Sequence, residues 1–381
     1  MKILIFMAGF FPGKKYGGPP VSIDNFCNLM NNEEVYIVCK DHDLGETKRY
    51  TSIHSGWNDR GNCKVLYLTD SKYNFSNLNN IAREINPDLI YLQSLFSKST
   101  YIGLNVAKEN NIKVLLAPRG ELNKGAFKKK YKKIPYLYYL KLKGLIKNVN
   151  FQATSEDESY SIKKYLNVSS DNIFSLSNIP SISHNNYQRE VKYPGIAKFV
   201  FISRIHPKKN LLKAIKYIKN IKGKITFDIF GPIEDIDYWE KCEREIKSMS
   251  SDMSINYRGI VNHNEVHSIF SKYDAFLFPT ESENYGHVIA EALSVGIPII
   301  ISDKTPWSDV INFKAGWSIS LDNDSQFIKA IQKVTDWDNS LLLEFSENAK
   351  KYFYFKSDID NLKSHYIKVL NEISDNKDGN K

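Results

Sequence analysis

The strongest constraint on this chain is a rhythm of short apolar runs. Nearly uninterrupted β-branched, aliphatic and aromatic segments at residues 2–10, 35–40, 64–68, 89–93, 113–117 and 151–155 recur between amphipathic stretches. After a polar interval at 178–194 the rhythm restarts at 198–203, 226–230, 255–259, 275–279 and 298–302, with helix-like stretches such as 211–221 and 237–249 between them. Strands that lack polar alternation are covered on both faces, which is the arrangement of a parallel sheet flanked by helices. The repetition predicts an α/β chain of two doubly wound, Rossmann-like domains facing each other across a cleft. The first domain is expected over residues 1–185 and the second over 190–358, and residues 359–373 read as a helix with Leu362, Tyr366, Val369 and Leu370 on one side. Ligands of such sheets sit beyond the carboxyl ends of the strands, so the residues just after each strand are where chemistry is sought.

Composition removes several classes. A chain of 381 residues has room for two to three domains of roughly 150 residues, and 42% hydrophobic with 25% charged residues describes a globular protein, not a disordered one. Cys27, Cys39, Cys63 and Cys242 form no CxxC pair, so a reducing compartment is expected. No apolar run approaches the roughly 18 to 20 residues that span a bilayer. The apolar start at residues 1–11 is followed by Pro-Gly-Lys-Lys, with no small-residue cleavage site, and reads as a first buried strand. The expected location is the cytoplasm, including the inner face of a membrane. The net charge of +9, from 52 basic and 43 acidic residues with Lys far in excess of Arg, suits a phosphate-rich or anionic partner.

Three segments at strand ends carry candidate chemistry. The richest runs from Phe278 to Pro298: a strand end, a polar loop with Glu283, Asn284 and Tyr285, Gly286, and a helix expected from about His287 to Val295 with Gly296 as its C-terminal cap. A helix starting at a strand's carboxyl end aims N–H groups at the cleft, where they hold an anion such as a diphosphate. Glu283 precedes that helix and Glu291 lies within it, and carboxylates accept hydrogen bonds from sugar and ribose hydroxyls. The plainer alternative for either glutamate alone is a helix-end or solvated residue. The second segment, Ser203 to Asn210, places Arg204 and Lys209 after a strand, two cations able to neutralise a diphosphate leaving group. The third is the first βα loop, Phe11 to Pro20, in which Gly17 and Gly18 permit close approach of a phosphate or sugar. It matches neither the P-loop nor the GxGxxG dinucleotide pattern.

Taken in order, Gly17-Gly18, Ala117-Pro118-Arg119-Gly120, Ser203-Arg204-Ile205 with Pro207-Lys208-Lys209-Asn210, Phe230-Gly231-Pro232, and Glu283-x7-Glu291 within Asn284-Tyr285-Gly286-His287 and Glu291-Ala292-Leu293 resemble a family 4 glycosyltransferase of the GT-B fold. The resemblance implies a retaining enzyme that moves a sugar from a nucleotide-sugar donor to a saccharide acceptor. It implies that the C-terminal segment, 359–381, rejoins the first domain, that this domain binds the acceptor, and that closure of the two domains completes the site. Glu283 would hold donor-sugar hydroxyls, Glu291 the ribose, Arg204 and Lys209 the diphosphate, and backbone from Tyr285 to Val288 the same ligand. Many relatives have His where this chain has Gln93; Gln93 and Arg119 are the expected acceptor-side residues. With no carboxylate placed as nucleophile, same-face displacement through an oxocarbenium-like state is expected, with no metal and no resident cofactor.

The basic, aromatic stretch from Lys124 to Lys147 suggests an anionic membrane surface and a lipid-linked saccharide acceptor, polyprenyl-diphosphate-linked, in the synthesis of a bacterial surface polysaccharide such as O antigen or capsule. The alternative is a solvated helix whose Tyr and Leu pack inward. A nucleic-acid-binding protein is the rival class, motivated by the same lysines and opposed by the absence of a helix-turn-helix, RRM or zinc-finger pattern. His263 and His267 stand four apart, but in the order HxExH, and read as surface histidines at a helix start rather than as metal ligands.

Overall fold

The computed structural model describes residues 1–123, 130–183, 185 and 187–375. The chain divides into two units: Met1–Ile179 together with the segment from Ile359 onward, and Pro180–Asp358.

The first unit is built on β1 (Lys2–Phe6), β2 (Glu34–Lys40), β3 (Trp57–Asp59), β4 (Lys64–Leu68), β5 (Leu89–Gln93), β6 (Lys113–Ala117), β7 (Val149–Ala153) and β8 (Ile173–Ser175). They lie in the order β3-β4-β2-β1-β5-β6-β7-β8, parallel throughout except for β3, which runs against β4. The apolar run of β1 follows from having a core on each side of the sheet. Ile3 and Ile5 point into one cluster with Tyr91 and Leu115, while Leu4 and Phe6 point into the other with Leu92, Leu116 and Phe151. The first strand stops at Phe6 instead of reaching residue 10, because a turn follows. The Tyr16 ring occupies the space a Cβ would need at Gly9, and the Gly13 amide donates to the Phe10 carbonyl at 3.0 Å.

The last helix, Ile359–Asp375, packs on this first sheet. Tyr366, Val369, Leu370 and Ile373 are buried in the cluster that contains Ile3 and Ile5. Burying one large apolar side chain stabilises by about 1.5–3 kcal/mol, so this face holds the helix in place. Tyr366 adds a polar lock: its hydroxyl donates to the Ser177 carbonyl at 2.8 Å and accepts from Gln152 Nε2 at 2.8 Å.

The second unit contains β9 (Ile196–Ile202), β10 (Lys224–Phe230), β11 (Met253–Gly259), β12 (Ala275–Phe278), β13 (Ile299–Ser302) and β14 (Gly316–Ile319), all parallel, in the order β11-β10-β9-β12-β13-β14. This is the Rossmann order, in which the chain starts in the middle, winds outward to one edge and returns to wind outward to the other. Three strands escape the sequence reading: β3, β8 and β14 have three or four residues each and lie at sheet edges. Short runs that are only partly buried carry too little apolar pattern to stand out from loops, whereas β12 and β13, each four residues long, are buried throughout.

Gly231 follows β10 with φ +135°, and a Cβ there would overlap the Ser203 carbonyl oxygen. That close approach seats the backbone just ahead of Arg204. Gly259 has φ +82° but open space around it. Gly231→Ala should therefore destabilise by about 1–3 kcal/mol through strain and collision, and more than Gly259→Ala. Thermal melts of the two variants check this order.

Candidate functional site

The second sheet changes direction between β9 and β12, which pair side by side through Phe199 with Ala275 and Val200 with Phe276. The loops leaving their carboxyl ends start next to each other and diverge, and this opening is where ligands bind in such sheets. The loop after β9 forms a short turn, Pro207–Lys209, capped by the His206 side chain accepting from the Lys208 amide. Asn210 at φ +57° then directs the chain into the helix Leu211–Ile218. The loop after β12 is stitched to that turn: the Glu281 amide donates to the Lys208 carbonyl at 2.8 Å, and the Thr280 hydroxyl donates to the same oxygen at 3.2 Å.

This stitching brings together Lys209 and Glu283, 74 residues apart in sequence, with Nζ 2.5 Å from Oε1 and each side chain 15% exposed. Thr280 Oγ1 lies 3.3 Å from the same carboxylate oxygen, and the Glu283 amide donates to the Lys304 carbonyl at 3.1 Å. Lys209 Nζ also stands 5.6 Å from the centre of the Phe278 ring. An ion pair this withdrawn from water is sensitive to loss of either partner, since the survivor becomes an uncompensated buried charge.

From Glu283 the loop passes Asn284, which is exposed, and Tyr285, whose carbonyl accepts from Trp307 Nε1 at 2.6 Å. Gly286, at φ +81°, then starts the helix His287–Ser294, and no side chain caps it. The positive end of this helix lies four residues from Glu283. Val288 packs against the core, and Gly296 at φ +78° follows the helix end. Glu291 is buried, not solvated, and burial pushes its carboxyl up to about 7.

Arg204 has a carboxylate partner of its own. Arg204 follows β9 by two residues, is half exposed, and donates through Nη1 to both carboxylate oxygens of Glu234, at 2.9 and 2.7 Å. Each cation is thus matched to a different carboxylate. Glu234 could not be picked out of the sequence, because the pairing depends on the loops after β9 and β10 running together, with Ile205 bridged to Ile233.

The reading of His263 and His267 as surface residues is corrected by the structure. Both are largely buried, burial pushes both down to about 4, and His263 Nδ1 lies 3.5 Å from Glu291 Oε1. The available signal was position, since His263 closely follows the carboxyl end of β11. Among the described residues no group of three or more His, Cys, Asp or Glu side chains is arranged to hold a metal ion.

The remaining candidates belong to the first unit. Gly17, at φ +72°, caps a helix that begins at Gly18, and the loop before it is held by Asp43, which accepts from the Lys14 and Lys15 amides at 2.8 and 3.0 Å. Arg119 donates from Nε to Gln93 Oε1 at 2.6 Å, from Nη2 to the Tyr91 hydroxyl at 3.3 Å, and from Nη1 to Asn178 Oδ1. Its guanidinium is therefore a structural tie between β5 and the segment after β8. Gln93 is buried, with Nε2 lacking a hydrogen-bond partner.

Residues 184–352 match the family model for glycosyl transferases group 1. Both units carry the Rossmann-like fold of GT-B glycosyltransferases. The Anabaena HepE protein crystallised with UDP and glucose superposes with a TM-score of 0.74 over 98% of this chain and 100% of that one, at 14% identity. An Escherichia coli UDP-Gal:alpha-D-GlcNAc-diphosphoundecaprenol alpha-1,3-galactosyltransferase is 27% identical over 208 residues, 50% of this chain. An uncharacterised 41.2 kDa protein of the cps region of Klebsiella pneumoniae is 29% identical over 151 residues, 39% of this chain. The matched segments span 51% and 38% of those two relatives' lengths.

The raised Glu291 has a consequence for stability. Its carboxyl ionises at the ordinary 4.5 when unfolded and at about 7 when folded. The unfolded chain therefore holds fewer protons between those values, and this group lowers stability as pH rises through them. His263 and His267, displaced from 6.5 to about 4, act in the opposite direction over their own window. Glu291→Gln removes the first contribution alone. Its Tm relative to the unsubstituted protein should climb from about pH 4.5 to about pH 7 and then level off, as thermal melts across a buffer series would record.

Proposed function

We propose that this protein is a retaining glycosyltransferase that moves a sugar from a nucleotide-sugar donor to a saccharide acceptor. The observation that carries the reading is the Lys209–Glu283 pair at the switch point between β9 and β12, beside the uncapped start of the helix His287–Ser294. A diphosphate presents charge that an ammonium and a helix N-terminus both stabilise. When it binds, Lys209 exchanges a carboxylate partner for a phosphate one, and Glu283 is freed to accept from sugar hydroxyls. Arg204 makes the same exchange from Glu234. Glu291 accepts from the ribose, and Asn284, Tyr285, His287 and Val288 line the donor. Gly17 and Gly18 are further proposed donor-binding residues, and Gln93 and Arg119 the proposed acceptor-binding residues.

The reaction follows as displacement on one face of the sugar. The bond from the anomeric carbon to the phosphate oxygen breaks through an oxocarbenium-like state, the acceptor oxygen bonds to the same face, and the departing phosphate takes the acceptor's proton. Lys209 and Arg204 stabilise the leaving charge, so no resident metal or cofactor is required in this scheme. Losing one preorganised donor of this kind typically costs about 3 kcal/mol, or roughly a hundredfold in rate. Lys209→Ala and Arg204→Ala should each lower kcat by about that factor, and Glu283→Ala should abolish transfer in a chain that still melts cooperatively. Turnover within a few fold of the original in the cation variants would overturn the assignment. The first experiment is a thermal-shift series over nucleoside diphosphates and nucleotide sugars: one of them should raise Tm, and no shift with any would overturn the donor site.

A lipid-linked saccharide, carried on a polyprenyl diphosphate, is the proposed acceptor, and a bacterial surface polysaccharide such as O antigen or capsule the proposed product. The activity that names the Escherichia coli relative and the cps origin of the Klebsiella relative support this. Residues 124–129 of the basic stretch lie outside the described residues. In the helix Lys130–Leu142, Leu137 and Leu140 are buried while Ile134, Tyr138, Tyr139 and Leu142 are exposed, so this stretch packs inward with one side and presents apolar groups among lysines with the other. Among the described residues no helix is long and apolar enough to cross a membrane. Contact with an anionic leaflet through the exposed side predicts flotation with vesicles containing anionic lipid, reduced by Tyr138→Ser with Leu142→Ser. Indifference to lipid charge would remove the membrane proposal.

A further inference from the structure

Beyond β11 the chain runs through a single turn, His263–Glu265, into the short helix Val266–Phe270, which lies against the helix carrying Glu291. This packing presses the His263 ring onto the Glu291 carboxylate, with Nδ1 3.5 Å from Oε1 and side chains 15% and 6% exposed. Among the described residues His263 is the one basic side chain within 4 Å of that carboxylate. Ser294, one turn on, bonds the Glu291 carbonyl at 2.8 Å and leaves the carboxylate alone.

We propose that His263 is a positioning residue for nucleotide recognition: its ring donates from Nδ1 to Glu291 Oε1 and turns Oε2 toward the ribose hydroxyls of the donor. The inference rests on the donor site proposed above, since it assigns the ribose to Glu291. A carboxylate offers about four acceptor positions, so one donor at Oε1 leaves Oε2 open to hydroxyls. A donor is needed because an unsupported carboxylate in this buried place is held toward its protonated form, in which one oxygen stops accepting. The imidazole meets that need without bringing a charge. Burial keeps His263 neutral. A neutral ring that donates from Nδ1 has its hydrogen on that nitrogen, so the contact also selects the tautomer.

The test measures ribose discrimination, which a purely structural role would leave unchanged. The full chain is titrated calorimetrically with whichever of ADP, GDP, UDP and CDP gives the largest thermal shift, and with the 2′-deoxy and 3′-deoxy forms of that nucleotide. His263→Asn and His263→Gln are compared, since the Asn amide can place a donor near Nδ1 while the Gln amide extends past it. The unsubstituted protein should prefer the ribonucleotide to at least one deoxy form by about tenfold, the ratio expected for one hydrogen bond to a charged group. His263→Asn should keep most of that ratio. His263→Gln should bring it close to one by weakening the ribonucleotide alone, and Glu291→Gln should do the same. Equal ratios in His263→Asn and His263→Gln, or a loss of affinity shared by ribo and deoxy forms, would overturn the positioning role while leaving the donor site intact. Absence of binding by all four diphosphates would overturn the donor site itself, and this role with it.

Discussion

The organisation of the second unit depends on one topological constraint, the reversal of strand order between β9 and β12. Parallel strands joined by right-handed crossovers must wind outward from the first strand, and when the chain returns to wind the other way two adjacent strands send their loops apart. The second unit's residues assigned to the donor lie around that divergence. Lys209 comes from one side and Glu283 from the other, and the hydrogen bonds from Thr280 and Glu281 to the Lys208 carbonyl keep the two loops from separating further. The rest of the sheet is a support for this edge-on meeting, and its apolar faces exist to hold the strands in register.

Charge is arranged there so that the chain neutralises its own cations. Each cation has a carboxylate of its own, Lys209 with Glu283 and Arg204 with Glu234, and the two pairs differ in their surroundings. The first is largely dehydrated, so its geometry is held. The second is half exposed, where an ion pair is worth about 0–1 kcal/mol, so in the donor site proposed above Glu234 would yield Arg204 to a more highly charged partner at little expense. A diphosphate is such a partner. The support proposed for Glu291 follows the same logic: a carboxylate kept dry gains strength as a hydrogen-bond acceptor when it is ionised, and a neutral imidazole would support it without turning it into a salt bridge.

The first unit is tied together differently. Its network runs from Gln93 through Arg119 and Tyr91 to Gln152 and Tyr366, so it joins β5, β7 and the final helix by hydrogen bonds within a core. Arg119 is absorbed into that structure, a use of the guanidinium that its motif does not announce. Glu158, fully buried, accepts from the Gly120 and Thr154 amides at 2.6 and 2.9 Å, which sets the turn that carries Arg119.

The sequence by itself determined the apolar strands of both sheets other than β3, β8 and β14, the two-part organisation and the loops where candidate ligand-binding residues cluster. The physical reason is local: a strand covered on both faces must be apolar along its length, and glycine at positive φ or at a helix end leaves a mark in the residue order. The edge strands β3, β8 and β14 stayed hidden because they are short and not apolar throughout, unlike the comparably short but fully buried β12 and β13. Only the tertiary structure decided which charges meet. Glu283 chose Lys209, Arg204 chose Glu234, and His263 proved to be a buried neighbour of Glu291 instead of a surface residue, because pairing across 28 to 74 residues is set by which loops the sheet order places side by side.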